Sequence, residues 1–429
     1  MSPLNPKQRW KNLLVLAFGN MIDTADGGLI NALFPAIRTA LHMNLETLGQ
    51  FTAIGRLARM LFGPLWAMAA DFWNRKLLMF IVTGIWGIWT ILAGLAQNQT
   101  ELMILYAIGA IGSVAAEPLT TAIAADLFPP GERGKAFGAL RALGGFGFLV
   151  FAPLIGLFSR SPEGWRWAMF TMGGLSVLSG IIILIFLRDP GRGASESEGS
   201  IIKLPKKGQL MLIFRSPTVL LMATSMIFVT SLVLFSYAVT FLVDVRGFTN
   251  AEGTYVLAIY AGGFIASSLI GGLLGDWAAR KNPRWGRIIL MQLYLVAFSL
   301  MSFLSLQIAW SHWAYYLLFF LFGLVSAIGF PGAVIPLLSA VVLPERRATA
   351  FGFVFSFVQG IVATALSLAV GWLAQRYGLR SVVFWVTTVP YAFNALFWFA
   401  FYGIVPKEMA KIRVELASRR EAIKPDPIA

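Results

Sequence analysis

The chain contains no cysteine, only two histidines and few charged residues, 13% of its 429 positions. Without cysteine there is no disulfide, no thiolate nucleophile and no cysteine metal site. His42 and His312 each stand at the end of an apolar stretch. No His-Glu-x-x-His pair, glycine-rich phosphate loop or Ser/His/Asp set accompanies them. An enzyme is therefore not expected, and neither a metal nor another cofactor is called for. The scarcity of charge excludes a soluble globular domain, which carries about 25% charged residues. With 58% hydrophobic residues and a mean hydropathy of +0.74, the chain reads as an integral membrane protein.

The apolar residues fall into stretches of roughly 20 or more, the length that crosses a bilayer core as a helix. Twelve such spans are predicted, near 12–37, 47–70, 77–96, 102–126, 136–158, 166–187, 217–243, 252–275, 287–308, 313–340, 349–374 and 381–404. The long polar stretch Arg188 to Arg215, with its Gly/Ser/Glu-rich section 191–200, reads as a flexible linker. The expected organisation is a six-helix half over 1–187, a cytoplasmic linker over 188–215, a second six-helix half over 216–405 and a cytoplasmic tail over 406–429.

A net charge of +14 raises the question of nucleic acid, and its distribution answers it. Most of the 34 Lys and Arg residues fall in the termini, the linker and alternate loops, among them Arg75, Lys76, Arg133, Lys135, Arg280, Lys281, Arg346 and Arg347. That is the positive-inside pattern, which puts both termini in the cytoplasm. No nucleic-acid partner is expected. The apolar run after the basic start contains Asn20, Asp23 and Asp26 and no small-residue cleavage site. It reads as a retained first helix.

Two loops carry the same punctuation. Asp71 has Ala67 four before it and Arg75-Lys76 four and five after; Asp276 has Gly272 and Arg280-Lys281 at the same spacings. A small residue there lets two helices approach closely, and the Asp can accept from an Arg or from helix N-terminal amides. A second correspondence aligns Pro130, Arg133 and Ala136-Phe137-Gly138 with Pro344, Arg347 and Ala350-Phe351-Gly352. Repeats in register across two loops imply duplicated halves.

Twelve spans in two repeated halves with an Asp…Arg-Lys loop in each resemble the major facilitator superfamily over essentially the whole chain. Asp71-Phe72-Trp73-Asn74-Arg75-Lys76 and Ala125-Asp126-Leu127-Phe128 with Glu132-Arg133 are similar to the spinster-like branch. Asp26 and Glu117 fall at that branch's acidic positions in spans one and four. Gly27 and Ala110 stand where it commonly has arginine. The resemblance implies an all-α membrane fold and alternating access around a central cavity lined by spans one and four. It suggests a lipid-like substrate such as a lysophospholipid or sphingoid amphiphile.

Ionisable residues inside hydrocarbon are functional candidates by default. All of them lie in the first half: Asp23, Asp26, Arg56, Arg59, Glu117 and Arg141. At about 1.5 Å per residue, Asp26 is level with Arg56, Asp23 with Arg59, and Glu117 with Arg141, so each of these pairs is geometrically permitted. The bland alternative is that they are structural ion pairs. Asp26, Glu117 and Asp23 are the candidates for proton coupling, since burial and nearby charge move a carboxyl's affinity for protons. Arg56, Arg59, Tyr237, Tyr260 and Gln359 are the candidates for substrate contact. Asp71, Arg75, Lys76, Asp276, Arg280, Lys281, Arg133 and Arg347 are the candidate conformational latch. The expected function is secondary active transport of a small amphipathic or organic solute, with protons and membrane lipids as partners, in a monomer of a bacterial inner membrane. A carrier of small organic anions held by Arg56 or Arg59 is the competing reading, and a transport-inactive sensor or scaffold the third.

Overall fold

Asparagine side chains start four helices of the N-terminal part. In the computed structural model, which describes residues 5–128, 132–191, 216–343 and 350–421, Asn5 Oδ1 accepts from the Gln8 amide at 2.8 Å. Gln8 Oε1 reciprocates toward the Asn5 amide at 3.3 Å. Helix α1 follows as Pro6–Ala40. Asn44 caps α2 (Leu45–Phe72), Asn74 caps α3 (Arg75–Ala93) and Asn98 caps α4 (Gln99–Ser113). Each cap accepts from an N–H that has no partner within its helix. Then come α5 (Ala116–Leu127), α6 (Arg133–Phe158) and α7 (Gly164–Phe186).

In the C-terminal part Ser216 caps α8 (Pro217–Ile227). Helix α9 (Ser231–Arg246) stops at Gly247, whose φ of +74° is the left-handed conformation a glycine adopts without strain. A reciprocal Thr249–Glu252 box opens α10 (Asn250–Lys281). The remaining helices are α11 (Gly286–Gln307), α12 (His312–Val341), α13 (Gly352–Tyr377) and α14 (Leu379–Glu415). The described residues contain helices and no strands.

Eight of these helices (α1, α3, α7 and α10 to α14) are long and apolar enough to cross a membrane by themselves. The expected spans at 102–126 and 217–243 are each two helices, broken at Val114–Ala115 and at Phe228–Thr230. The first break puts Glu117 in the first turn of α5, where the positive end of the helix favours a carboxylate. The polar segment from 406 onward continues the last helix as far as Glu421.

Glycine pairs set how closely the helices approach. A Cβ on Gly180 of α7 would lie 2.8 Å from the Gly84 nitrogen in α3, and closer still to its Cα. Gly263 against Gly323, and Gly275 against Gly332, bring α10 onto α12 in the same way. Gly272, expected from its spacing before Asp276 to mediate this contact, faces open space, and the close approach is made by Gly271 and Gly275. The helix period is the reason: Gly271 and Gly275 stand about 40° apart around the axis, and Gly272 is turned about 100° from Gly271. Gly180→Val is expected to destabilise the fold by about 1–3 kcal/mol or more. Gly174→Val, at a site with nothing within 4 Å, should not, and thermal midpoints in detergent compare the two.

Candidate substrate and proton site

The N-terminal part (5–191) and the C-terminal part (216–421) are joined mainly through α2 on α13, α6 on α10 and α1 on α9. Among the described residues, the hydrogen bonds between the parts lie at mid-height or toward the end opposite the termini. Arg38 donates bidentately to Asp244 at 2.6 and 2.7 Å. The Leu45 amide donates to Gln375 at 3.2 Å, Asn250 to the Ala32 carbonyl at 2.9 Å, and Arg56 Nε to Ser367 Oγ at 3.1 Å. Gly49 and Gly371 let α2 and α13 meet beside the Tyr237 hydroxyl, which donates to the Ser367 carbonyl at 3.3 Å.

One turn further along α2 from Arg56, toward the terminal end, this cross-linking stops. There Arg59 Nη1 donates to Glu117 Oε2 at 2.8 Å, and each side chain is 67% exposed. Ionisable residues within spanning segments almost always face the bundle interior or a water-filled cavity, and this exposed pair lies beside the contacts between the two parts. Among the described residues no hydrogen bond joins the two parts nearer the terminal end than Arg56. Arg38 and Asp244, 23% exposed each, clasp the parts at the end opposite the termini. Arg38→Ala is expected to favour opening at that end. A cysteine introduced at Gln375, with a second in place of Leu45, should then react faster with a membrane-impermeant maleimide than the same pair does with Arg38 present.

The carboxylates of α1 are arranged differently from Glu117. Asp23 Oδ2 accepts from Thr83 Oγ1 and Asp26 Oδ2 from Thr90 Oγ1, both at 3.0 Å and both from α3. Asp26 Oδ1 is buried with no hydrogen-bond partner. The pairings permitted by height, Asp26 with Arg56 and Asp23 with Arg59, are not formed: α1 turns these carboxylates to α3, and the arginines of α2 face α5 and α13. Glu117 likewise pairs with Arg59, and the Arg141 side chain lies outside the described residues. Tyr106 of α4 stands among Asp26, Arg56 and Arg59, its ring 5.2 Å edge-on from Phe51.

The other candidates are scattered. Tyr237 is fully buried at the contact between the parts, and Tyr260 sits in an aromatic cluster with its ring 4.7 Å from Phe235 and 5.5 Å from Phe322. Gln359 is half-buried where α13 resumes regular helix after a π-helical stretch. At the terminal end Arg75 is buried and paired with Asp126 of α5. Asp276 accepts from Arg287 at 2.8 Å, and Arg287 also donates to the Gly332 carbonyl at 2.7 Å. Lys281 lies 4.9 Å over the Trp277 ring, Arg280 is exposed and Lys76 half-buried. The side chains of Asp71 and Arg133, and Arg347 altogether, lie outside the described residues.

The exposed ion pair on apolar helices stands beside the contacts that join the two parts. A family model described as Major Facilitator Superfamily matches residues 16–364. The chain belongs to this superfamily. Superfamily members are multi-pass integral membrane proteins that transport small molecules. Over 418 residues the chain is 26% identical to an MFS-type efflux pump of Mycolicibacterium smegmatis, covering 92% of this chain and 93% of that protein. Over 190 residues it is 25% identical to protein spinster homolog 1 of Xenopus laevis, which is 43% of this chain and 35% of that protein. The crystal structure of a bacterial homolog of the human lysosomal transporter Spinster, inward-facing and unoccupied, superposes with a TM-score of 0.73. It is 19% identical and covers 95% of this chain and 99% of that one, which establishes a shared fold.

Sequence reasoning missed the partners more than the principals. Thr83, Thr90, Tyr106, Ser367, Asp244 and Arg287 are ordinary residues until the fold sets them beside a charge. Arg287 follows Asp276 by a loop and one helical turn, and that spacing was a legible signal. The contact of Arg38 with Asp244 across the two parts left none.

Proposed function

We infer that the chain is a secondary active transporter that moves a small amphipathic organic solute by alternating access, coupled to protons. Twelve spanning segments in two repeated halves, 1–187 and 216–405, with both termini in the cytoplasm of a bacterial inner membrane, are the arrangement the loop repeats and the basic residues support. The observation that carries the reading is the Arg59–Glu117 pair, exposed although it stands on apolar helices beside the contact between the two parts. Arg59, with Arg56 one turn above it, is the group a solute meets first. Glu117 compensates it and takes a proton or the solute's cationic group when the pair parts. Asp26 and Asp23, held by threonine hydroxyls alone, are the proton carriers behind it. Tyr237, Tyr260 and Gln359 belong to the walls that repack as the parts rock, and Asp71, Arg75, Lys76, Asp276, Arg280, Lys281, Arg133 and Arg347 to the latch at the terminal end.

Because Glu117 already meets the charge of Arg59, a small organic anion must displace a carboxylate, whereas an amphiphile need not. The efflux pump among the relatives supports export of such compounds. The two guanidinium groups one turn apart favour the anion carrier as the second reading. Reconstituted protein with an imposed pH gradient separates the two. A lysophospholipid or an amphipathic organic cation is expected to be transported and a short dicarboxylate not. Glu117→Gln should lose most of that transport at unchanged expression. Transport of the dicarboxylate alone would overturn the amphiphile reading, and transport of nothing across a broad panel would favour a sensor.

A further inference from the structure

Between α10 and α11 the chain turns through Asn282, Pro283 and Arg284, and the tail end of α14 lies across the turn. Asn282 Oδ1 accepts from the amides of Arg284 at 3.2 Å and Trp285 at 3.0 Å, which fixes the corner. A cleft of about 190 Å³ opens there, and three of its nine lining residues are arginines, Arg284, Arg287 and Arg413. Arg287 is held in place by Asp276 and the Gly332 carbonyl. Arg284 and Arg413 are exposed, and no acidic side chain among the described residues pairs with either. The Arg284 guanidinium lies 4.7 Å over the Trp285 ring, and Trp277, one turn before the end of α10, has Lys281 4.9 Å over its ring. Tryptophans with basic neighbours at the ends of spanning helices mark the level of lipid headgroups.

We propose that this cleft binds the phosphate of an anionic phospholipid headgroup and so ties the tail helix to the corner that carries Asp276. The guanidinium fork matches a phosphate's oxygens, and the cleft has the volume of about six waters, enough for a phosphodiester with part of its glycerol. Ile288, Leu337 and Met409 form an apolar wall, and Leu273, 72% exposed one turn before Trp277, continues apolar surface along α10 for acyl chains. A soluble phosphate has the same charge but no use for that wall, so the lipid is the source the site fits.

The test uses the full chain in neutral detergent, titrated with phosphatidylglycerol, phosphatidylcholine or inorganic phosphate, with the thermal midpoint and lipid retention by native mass spectrometry as readouts. Phosphatidylglycerol is expected to raise the midpoint and remain bound, and the other two are not. Arg284→Gln and Arg413→Gln should each weaken the apparent affinity about fivefold, and the double variant should lose the response. Arg376→Gln, at the exposed opposite end of α13, should keep it. Midpoints without added lipid verify that the variants fold. An undiminished response in the double variant, or an equal response to inorganic phosphate, would overturn the proposal.

Discussion

Asp26→Asn is expected to abolish uphill transport while leaving solute exchange intact. One oxygen of this carboxylate is buried without a partner and the other meets only the Thr90 hydroxyl. A charge held that way costs several kcal/mol, and a proton removes the cost without moving a helix. If one proton exchanges per solute, a gradient of one pH unit sustains about tenfold accumulation, since one unit is worth 1.36 kcal/mol. The asparagine variant should fall to no accumulation. Counterflow of labelled solute, which needs no proton, should stay within about twofold of the wild type. Thr90→Val removes the hydroxyl donor of Asp26 and should alter the pH dependence of transport without abolishing coupling. Full accumulation by Asp26→Asn would assign the proton to Glu117, Asp23 or another group.

Arg75→Ala is expected to give the largest loss of stability of any latch substitution. The Arg75 and Asp126 side chains are only 9% and 14% exposed, and removing one partner of a buried pair typically costs about 3–5 kcal/mol. Asp276 is 66% exposed beside Arg287, so Asp276→Ala should cost less than about 1 kcal/mol and act on transport rather than on folding. The two loops share their punctuation, but their described contacts differ: Arg75 pairs with Asp126 of α5, whereas in the second loop Arg287 joins Asp276 of α10 to the Gly332 carbonyl of α12. Thermal midpoints of the two variants, with Arg75→Lys as a partial rescue, measure the difference. Equal midpoints would remove the distinction.

The membrane class and the helix positions were legible in the sequence because apolar run length, caps and loop charge are local signals. Thus Asn5, Asn44, Asn74 and Asn98, standing before apolar runs, begin helices as their chemistry dictates. The break within the expected span four carried a local signal that was passed over, Glu117 and Pro118 in the first turn of α5, whereas no proline or charge marks Val229, and an interrupted apolar run still reads as continuous. The charges of α1, α2 and α5 stand on the helices where the apolar runs put them, but the pairings that their heights permitted are not the ones formed. Height along a helix axis gives depth, whereas pairing depends on rotation about that axis. A half-turn sends Asp26 to Thr90 instead of Arg56, and Arg59 to Glu117.

The central claim is that the two parts rock about a mid-depth site, and the cysteine-free chain lends itself to a direct measurement. Spin labels at introduced cysteines can report one distance at each end: Leu77 with Lys281 at the terminal end, and Gln97 with Ser311 at the opposite end. All four positions are exposed. Pulsed electron resonance should find the terminal-end distance shortening and the opposite-end distance lengthening together, when a transported solute is added or when Arg38→Ala releases the outer clasp. Distances that stay fixed under both perturbations, or that change with the same sign at both ends, would contradict the account.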